Sequence, residues 1–302
     1  MADENRPIVK IDVAGDFGPA GDRLVKVVAA TIGGAVEPYQ IIRVAKATSR
    51  AAVIAAKTEI EIDELRHRAL MRREREEIQH QRNIESITGL ALPYLRSDAK
   101  PDQIDPDWIS HFFEQCRNTS GQELQLLWAR ILAGEANSPG QFCRRTLNIV
   151  STIGRDDAHQ FEVLCRFTWR FSGGWDGSEP LVLNWHHPIF ANTGLKFVGV
   201  MNLRSIGLID YSANTNLIIN IPRTSTASYF DRALRIETPD RPPTMPAHMD
   251  WSIPAGNVLF TRSGEELSII PEVQPVPNYF DYVRDSWIYM ASPTPGFRIQ
   301  EV

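Results

Sequence analysis

IIRVAKATSRAAVIAAKTEIEIDELRHRALMRREREEIQHQRNIES, residues 41–86, contains neither proline nor glycine. Both residues interrupt helices, so their absence over this length reads as one long helix; at ~1.5 Å per residue it would run roughly 70 Å. Its first part is alanine-rich, which favours helix and lets neighbouring backbones approach closely. A 3-4 spacing then sets Ala55, Thr58, Ile62, Leu65 and Ala69 on one face, the pattern of a helix seam. The stripe meets Arg72 and Glu76, so the pattern stops short of a long regular coiled coil. Arg66, Arg68, Arg72, Arg73 and Arg75 could form a nucleic-acid ridge. With Glu74, Glu76 and Glu77 interleaved, a solvated, salt-bridged face is the better reading. Residues 41–96 are therefore expected to drive self-association through Ile62, Leu65 and Ala69.

Upstream, residues 1–40 read as a tail and a short amphipathic helix. LVKVVAATIGGAV, residues 24–36, is too short to span a bilayer, which takes about 20 apolar residues. Only Arg23 and Lys26 could meet anionic lipid, so a membrane-surface role is a minor expectation and packing in a protein core the major one. The start of the chain lacks the apolar segment of a secretory signal, and a cytoplasmic location is expected.

Residues 97–166 read as a helical bundle. Asp105-Pro106-Asp107 is a helix start, followed by Trp108, Ile109, Phe112 and Phe113 on one side. Ser120 and Glu123 have the spacing of a capping box, and Leu124, Leu127, Trp128, Ile131 and Leu132 form the apolar face that follows. A turn at Ser138-Pro139-Gly140 leads to another helix over 142–153.

The run from Gln125 through Trp128, Arg130 and Glu135, then Pro139 and Arg145-Thr146-Leu147, resembles the signature of an uncharacterised bacterial family known only as a domain of unknown function. Residues 81–85 and 32–38 fit the same pattern. A shorter echo, Q-x-x-W-A-x-(I/L)-L, is similar to abortive-infection alpha-type proteins of phage defence. The resemblance implies a bacterial intracellular protein with a role in defence. It carries over no catalytic residue.

Residues 167–302 change character. A helix is expected over 161–171, a short strand over 181–183, and a helix over 194–205 closed by Gly207. Strands follow at 208–211 and 217–221, and later a strand at 258–261 turning into a helix at 263–267. Helix, hairpin and returning strand resemble a winged helix, with a proline-rich insertion over 238–254. Lys196, Asn202, Arg204 and Arg223 would then be the nucleic-acid contacts. Charge argues against a strong one. The chain carries a net charge of -5, and residues 151–302 hold 12 basic against 16 acidic groups, with Lys196 the single lysine.

No HExxH, GxSxG, P-loop or GxGxxG pattern occurs. His186-His187 and Asp156-Asp157-Ala158-His159 are poor metal sets. The three cysteines cannot all pair, and those in apolar helical contexts read as inert thiols. No catalytic residue, metal or cofactor is expected. The sequence thus reads as a mostly helical α+β protein: a long N-terminal helix, a helical bundle and a winged-helix-like C-terminal domain. Its expected function is that of a non-catalytic, self-associating sensor or scaffold with a protein partner in phage defence. A winged-helix DNA-binding regulator and a membrane-acting effector are the alternatives.

Overall fold

The computed structural model describes residues 18–32, 57–173, 176–213, 217–242, 251–291, 294 and 296–302, with side chains in the long helix described from Asp63 onward. Residues 33–56, which include the first part of the expected long helix, lie outside the described residues, as does the middle of the proline-rich insertion, 243–250. The fold is mixed α+β. The chain divides into two compact units, Met1–Arg144 and Arg145–Val302. Residues 145–166, grouped with the bundle by sequence, therefore cluster with the strands that follow them.

In the first unit, α1 (Gly18–Ile32) buries Ala20, Leu24 and Val28, spaced four apart, against α3 (Pro106–Cys116) and the turn at Pro101–Gln103. Of the stretch considered for a membrane surface, Leu24 and Val28 thus lie in this unit's core, while residues 33–36 of it lie outside the described residues. Between them in sequence, α2 (Lys57–Ala91) enters the core only with its last turns, where Ile84, Ile87 and Ala91 pack on α4 (Gln122–Asn137). Asp105 caps α3 by accepting a hydrogen bond from the Asp107 amide at 2.9 Å, with Pro106 in the first turn. Trp108 donates its indole N–H to the Phe142 carbonyl at 2.6 Å, and Phe112 meets Trp128 edge-on at 5.3 Å. The expected capping box does not form. Gly121 is the N-cap of α4, and the Ser120 hydroxyl faces Asn83 of α2 instead.

The second unit opens with most of α5 (Arg144–Thr152) and then α6 (Arg155–Cys165). The helix expected over 161–171 ends at Cys165, and β1 (Thr168–Ser172) begins there instead. β1 pairs antiparallel with β2 (Gly177–Pro180). The strand expected over 181–183 is displaced onto β2, leaving at Val182 a single bridge to Gly256. Two helices follow, α7 (Pro188–Asn192) and α8 (Phe197–Ser205), and α8 packs on α6. That approach requires glycine at 199, where an added Cβ would lie 2.4 Å from the Gln160 side chain.

β3 (Ile209–Tyr211) and β4 (Leu217–Ile221) do not form a hairpin with each other. The chain continues through β5 (Thr224–Tyr229), β6 (Arg232–Glu237), β7 (Trp251–Gly256) and β8 (Val258–Phe260), and β3 pairs with β8 while β4 pairs with β7. β5 and β6 leave these ribbons for a separate antiparallel sheet, ordered β2-β1-β5-β6 and then the last strand of the chain, residues 298–301. Beyond β8 come α9 (Arg262–Ser268), α10 (Tyr279–Ala291) and β9 (Arg298–Glu301). Trp169 of β1 stacks on Tyr229 and on Phe280 of α10, centroids 5.4 and 5.2 Å away, and meets Trp287. Tyr279 donates its hydroxyl proton to the Leu181 carbonyl at 2.6 Å, so this aromatic core also fixes the end of β2.

Candidate functional site

The first candidate surface is α2 before it reaches the core. Every side chain from Asp63 to Gln79 is exposed. Leu65 is 62% accessible, and Leu70, Met71 and Ile78 are open as well. At about 100° per residue, Leu65 and Ala69 lie on the face that further along buries Ile87 and Ala91, while Met71 and Ile78 lie roughly opposite. The side chain of Ile62 lies outside those described. Ion pairs within this stretch are exposed: Arg66 with Asp63 at 3.4 Å and Arg72 with Glu76 at 3.8 Å. Each contributes about 0.3–0.5 kcal/mol, too little to hold an isolated helix of this kind.

The motif residues are structural. Gln125 donates to the Thr119 carbonyl at 2.9 Å and accepts from the Ser86 hydroxyl at 2.8 Å; Asn83 donates to the Arg117 carbonyl at 2.7 Å. This polar set joins the end of α2 to the start of α4. Trp128 fills the core beneath it. Arg130 lies over the Tyr94 ring at 5.1 Å. Glu135, 2% exposed, accepts from the Gly140 amide at 2.6 Å and the Phe142 amide at 3.0 Å, closing the turn that holds Pro139. Arg145 is exposed and belongs to the second unit, apart from this group.

The second candidate surface is α8. Lys196 is its N-cap, and Asn202 and Arg204 are exposed along it. Arg223 is elsewhere, between β4 and β5, with its guanidinium 2.8 Å from the Asp240 carboxylate. What the sequence reading missed on α8 is its apolar character. Val198 is 69% exposed, and the exposed Phe197 ring meets Trp185 and Tyr211 edge-on at 5.7 and 5.8 Å. The signal was present in the sequence as two adjacent apolar residues at the first turn of a nine-residue helix.

Glu179 also escaped the sequence reading, since a glutamate between serine and proline gives no sign of burial. It is 8% exposed and accepts from the Phe260 amide at 2.7 Å. Burial pushes its carboxyl up to about 8, assisted by Glu265 and Asp210 and opposed by the Phe260 hydrogen bond. The folded state therefore holds a proton that the unfolded chain releases near 4.5. Stability falls as pH rises from about 4.5 to 8 and is level above that range. Glu179→Gln keeps an acceptor for Phe260 without the charge. Its melting temperature is expected to match that of the unmodified chain near pH 4 and to exceed it by several degrees at pH 9. Equal values at both pH would show that Glu179 is not buried as described.

Burial likewise pushes the Cys116 and Cys165 thiols up, away from the thiolate form. Among the described residues, no group of three or more His, Cys, Asp or Glu side chains could hold a metal ion. Among them, too, no helix is long and apolar enough to cross a membrane. A family model described as "Protein of unknown function (DUF2806)" matches residues 67–284. No curated protein and no solved structure matches the chain.

Proposed function

Since the chain belongs to the DUF2806 family, whose description names no activity, we propose a function from the geometry: a non-catalytic scaffold that self-associates through α2. The observation that carries this is the exposed stretch from Asp63 to Gln79, with Leu65 open to solvent on a helix too weakly paired to stand alone. The motif residues support it by anchoring the far end of the same helix. The phage-defence role is proposed on the sequence resemblance alone.

Light scattering of the full chain at micromolar concentration tests this. Replacing Ile62 and Leu65 with glutamate removes two apolar knobs per copy and is expected to raise the dissociation constant by at least about a hundredfold. An unmodified protein that is monomeric would sink the proposal.

For the second unit we propose a winged-helix-like reading that serves protein docking. In favour of the fold is the order α6, a bridge at Val182, α7, α8 and then two antiparallel pairings, β3 with β8 and β4 with β7, with β5 and β6 lying between β4 and β7 in sequence. In favour of a protein partner are Phe197 and Val198, exposed where a DNA reader would present polar side chains to base edges. With Arg223 beside Asp240, Lys196 and Arg204 remain for phosphates, so any duplex binding should show a salt slope near about -2 and vanish at physiological salt. Nanomolar duplex binding at about 150 mM salt would instead favour the DNA-binding regulator.

A further inference from the structure

We infer that the exposed face of α8 docks an acidic segment of another protein, one that carries an aromatic or aliphatic side chain flanked by carboxylates. This rests on the docking role just proposed for the second unit and names the partner's chemistry.

The apolar part of the surface is fixed before anything binds. Phe197 is held edge-on between Trp185 and Tyr211, at 70° and 77° to their planes. At about 100° per residue along α8, Gly199, Val200 and Leu203 share the buried face, while Phe197, Val198 and Met201 gather on the other side. Met201 is half-buried; the phenylalanine ring and the valine are open. A ring already held in place loses little freedom when a partner covers it, which is what an interface anchor needs.

The surrounding charge selects the partner. Arg204 follows Met201 by three residues and Phe197 by seven, so it lies on the same strip of the helix, and Lys196 sits at the start of that strip. Both are exposed. Residues 181–213 contain a single carboxylate side chain, Asp210, and it faces away. Neighbouring residues of a strand point to opposite sides, so with Tyr211 on Phe197 the Asp210 side chain lies across β3, where its charge helps to push the Glu179 carboxyl up. Elsewhere in residues 151–302 the balance is reversed, with 10 basic against 15 acidic groups. An apolar patch bounded by cations on an otherwise acidic unit steers an acidic partner to itself and turns a basic one to other surfaces. Duplex DNA shares the sign of charge, but its backbone would leave Phe197 and Val198 against phosphate and water, and two cations hold few phosphates.

Peptide selection against the full chain tests this. Random peptides of about twelve residues, displayed on yeast, are sorted for binding to the unmodified chain and against binding to Val198→Gln. That substitution removes apolar surface at an exposed position, leaves the charge unchanged and should keep the melting temperature. The enriched peptides should carry a net charge of about -3 or lower around at least one aromatic or leucine residue. One of them, labelled with fluorescein, should bind the Lys196→Glu, Arg204→Glu double variant at least about tenfold more weakly than the unmodified chain, and more weakly as salt rises from about 25 to about 150 mM. Enriched peptides that are neutral or basic, or binding untouched by the double variant, would overturn the acidic partner and leave docking standing. No enrichment over Val198→Gln, or displacement of the peptide by an equimolar DNA duplex of about 20 base pairs at about 150 mM salt, would overturn docking as well.

Discussion

Glu135→Ala is expected to destabilise the first unit by about 2–3 kcal/mol, because it strands the buried Phe142 amide and removes the acceptor of the Gly140 amide as well. The amides of Gly140 and Phe142 both point at this carboxylate, whose side chain is only 2% exposed. The turn they close delivers Phe142 to the position where its ring lies against Gly134 and its carbonyl receives the Trp108 indole. Losing the turn therefore loosens the packing of α3 as well. Glu135→Gln keeps one acceptor but sets an amide N–H against a backbone N–H, and should cost about half as much. Urea denaturation followed by tryptophan fluorescence checks both. A change below about 1 kcal/mol for the alanine variant would mean the turn stands without the carboxylate.

The second large effect is expected at Gly256. Its φ of +95° is one that side-chain-bearing residues rarely adopt, and an added Cβ would lie 1.9 Å from the Val182 carbonyl oxygen. That carbonyl accepts from the Asn257 amide, so it cannot move aside without losing a hydrogen bond. Gly256→Ala should destabilise the second unit by at least about 3 kcal/mol, enough to reduce soluble yield severely. Gly89→Ala is the control. Gly89 sits within α2 with nothing within 4 Å of an added Cβ, and alanine there should add up to about 1 kcal/mol of stability. Thermal melts of the two variants are expected to shift in opposite directions.

Much of the first unit was legible because its signals are local. Asp105 before Pro106 marks a helix start whatever surrounds it, and Trp128, Ile131 and Leu132 are buried as their helical spacing expects, whereas Leu124, expected on the same face, is 37% exposed and the polar Gln125 is buried instead. The capping box failed because Ser120 had a second partner, Asn83, distant in sequence. In the second unit the deciding interactions are long-range. Phe167, Trp169 and Phe171 alternate as a strand does, but they follow directly on the helical spacing of Phe161, Leu164 and Cys165, and only pairing with β2 and β5 shows where one pattern ends. β5, TSTASY, has almost no apolar content until Tyr229, so its burial gave no sequence signal. Of the candidate surfaces, the α2 face that carries Leu65 and Ala69 is one that helical spacing picks out. The cations of α8 were named without Phe197 and Val198, because a search guided by charge passes over apolar residues.

The ribbon that leaves the small pairings at β4 and returns at β7 also bears on how the second unit assembles. Ile209 pairs with Phe260 across some fifty residues, whereas Tyr229 pairs with Arg232 across a two-residue turn. Closing the long loop costs chain entropy before any contact rewards it, and early formation of the β5–β6 hairpin shortens the loop that remains. Yet that hairpin turns at Phe230, whose φ of +53° glycine or asparagine would adopt more readily. The local step that ought to come first is thus the one held back by its own turn, and refolding of this unit is expected to be slow for its size, with β3 and β8 among the last strands to meet.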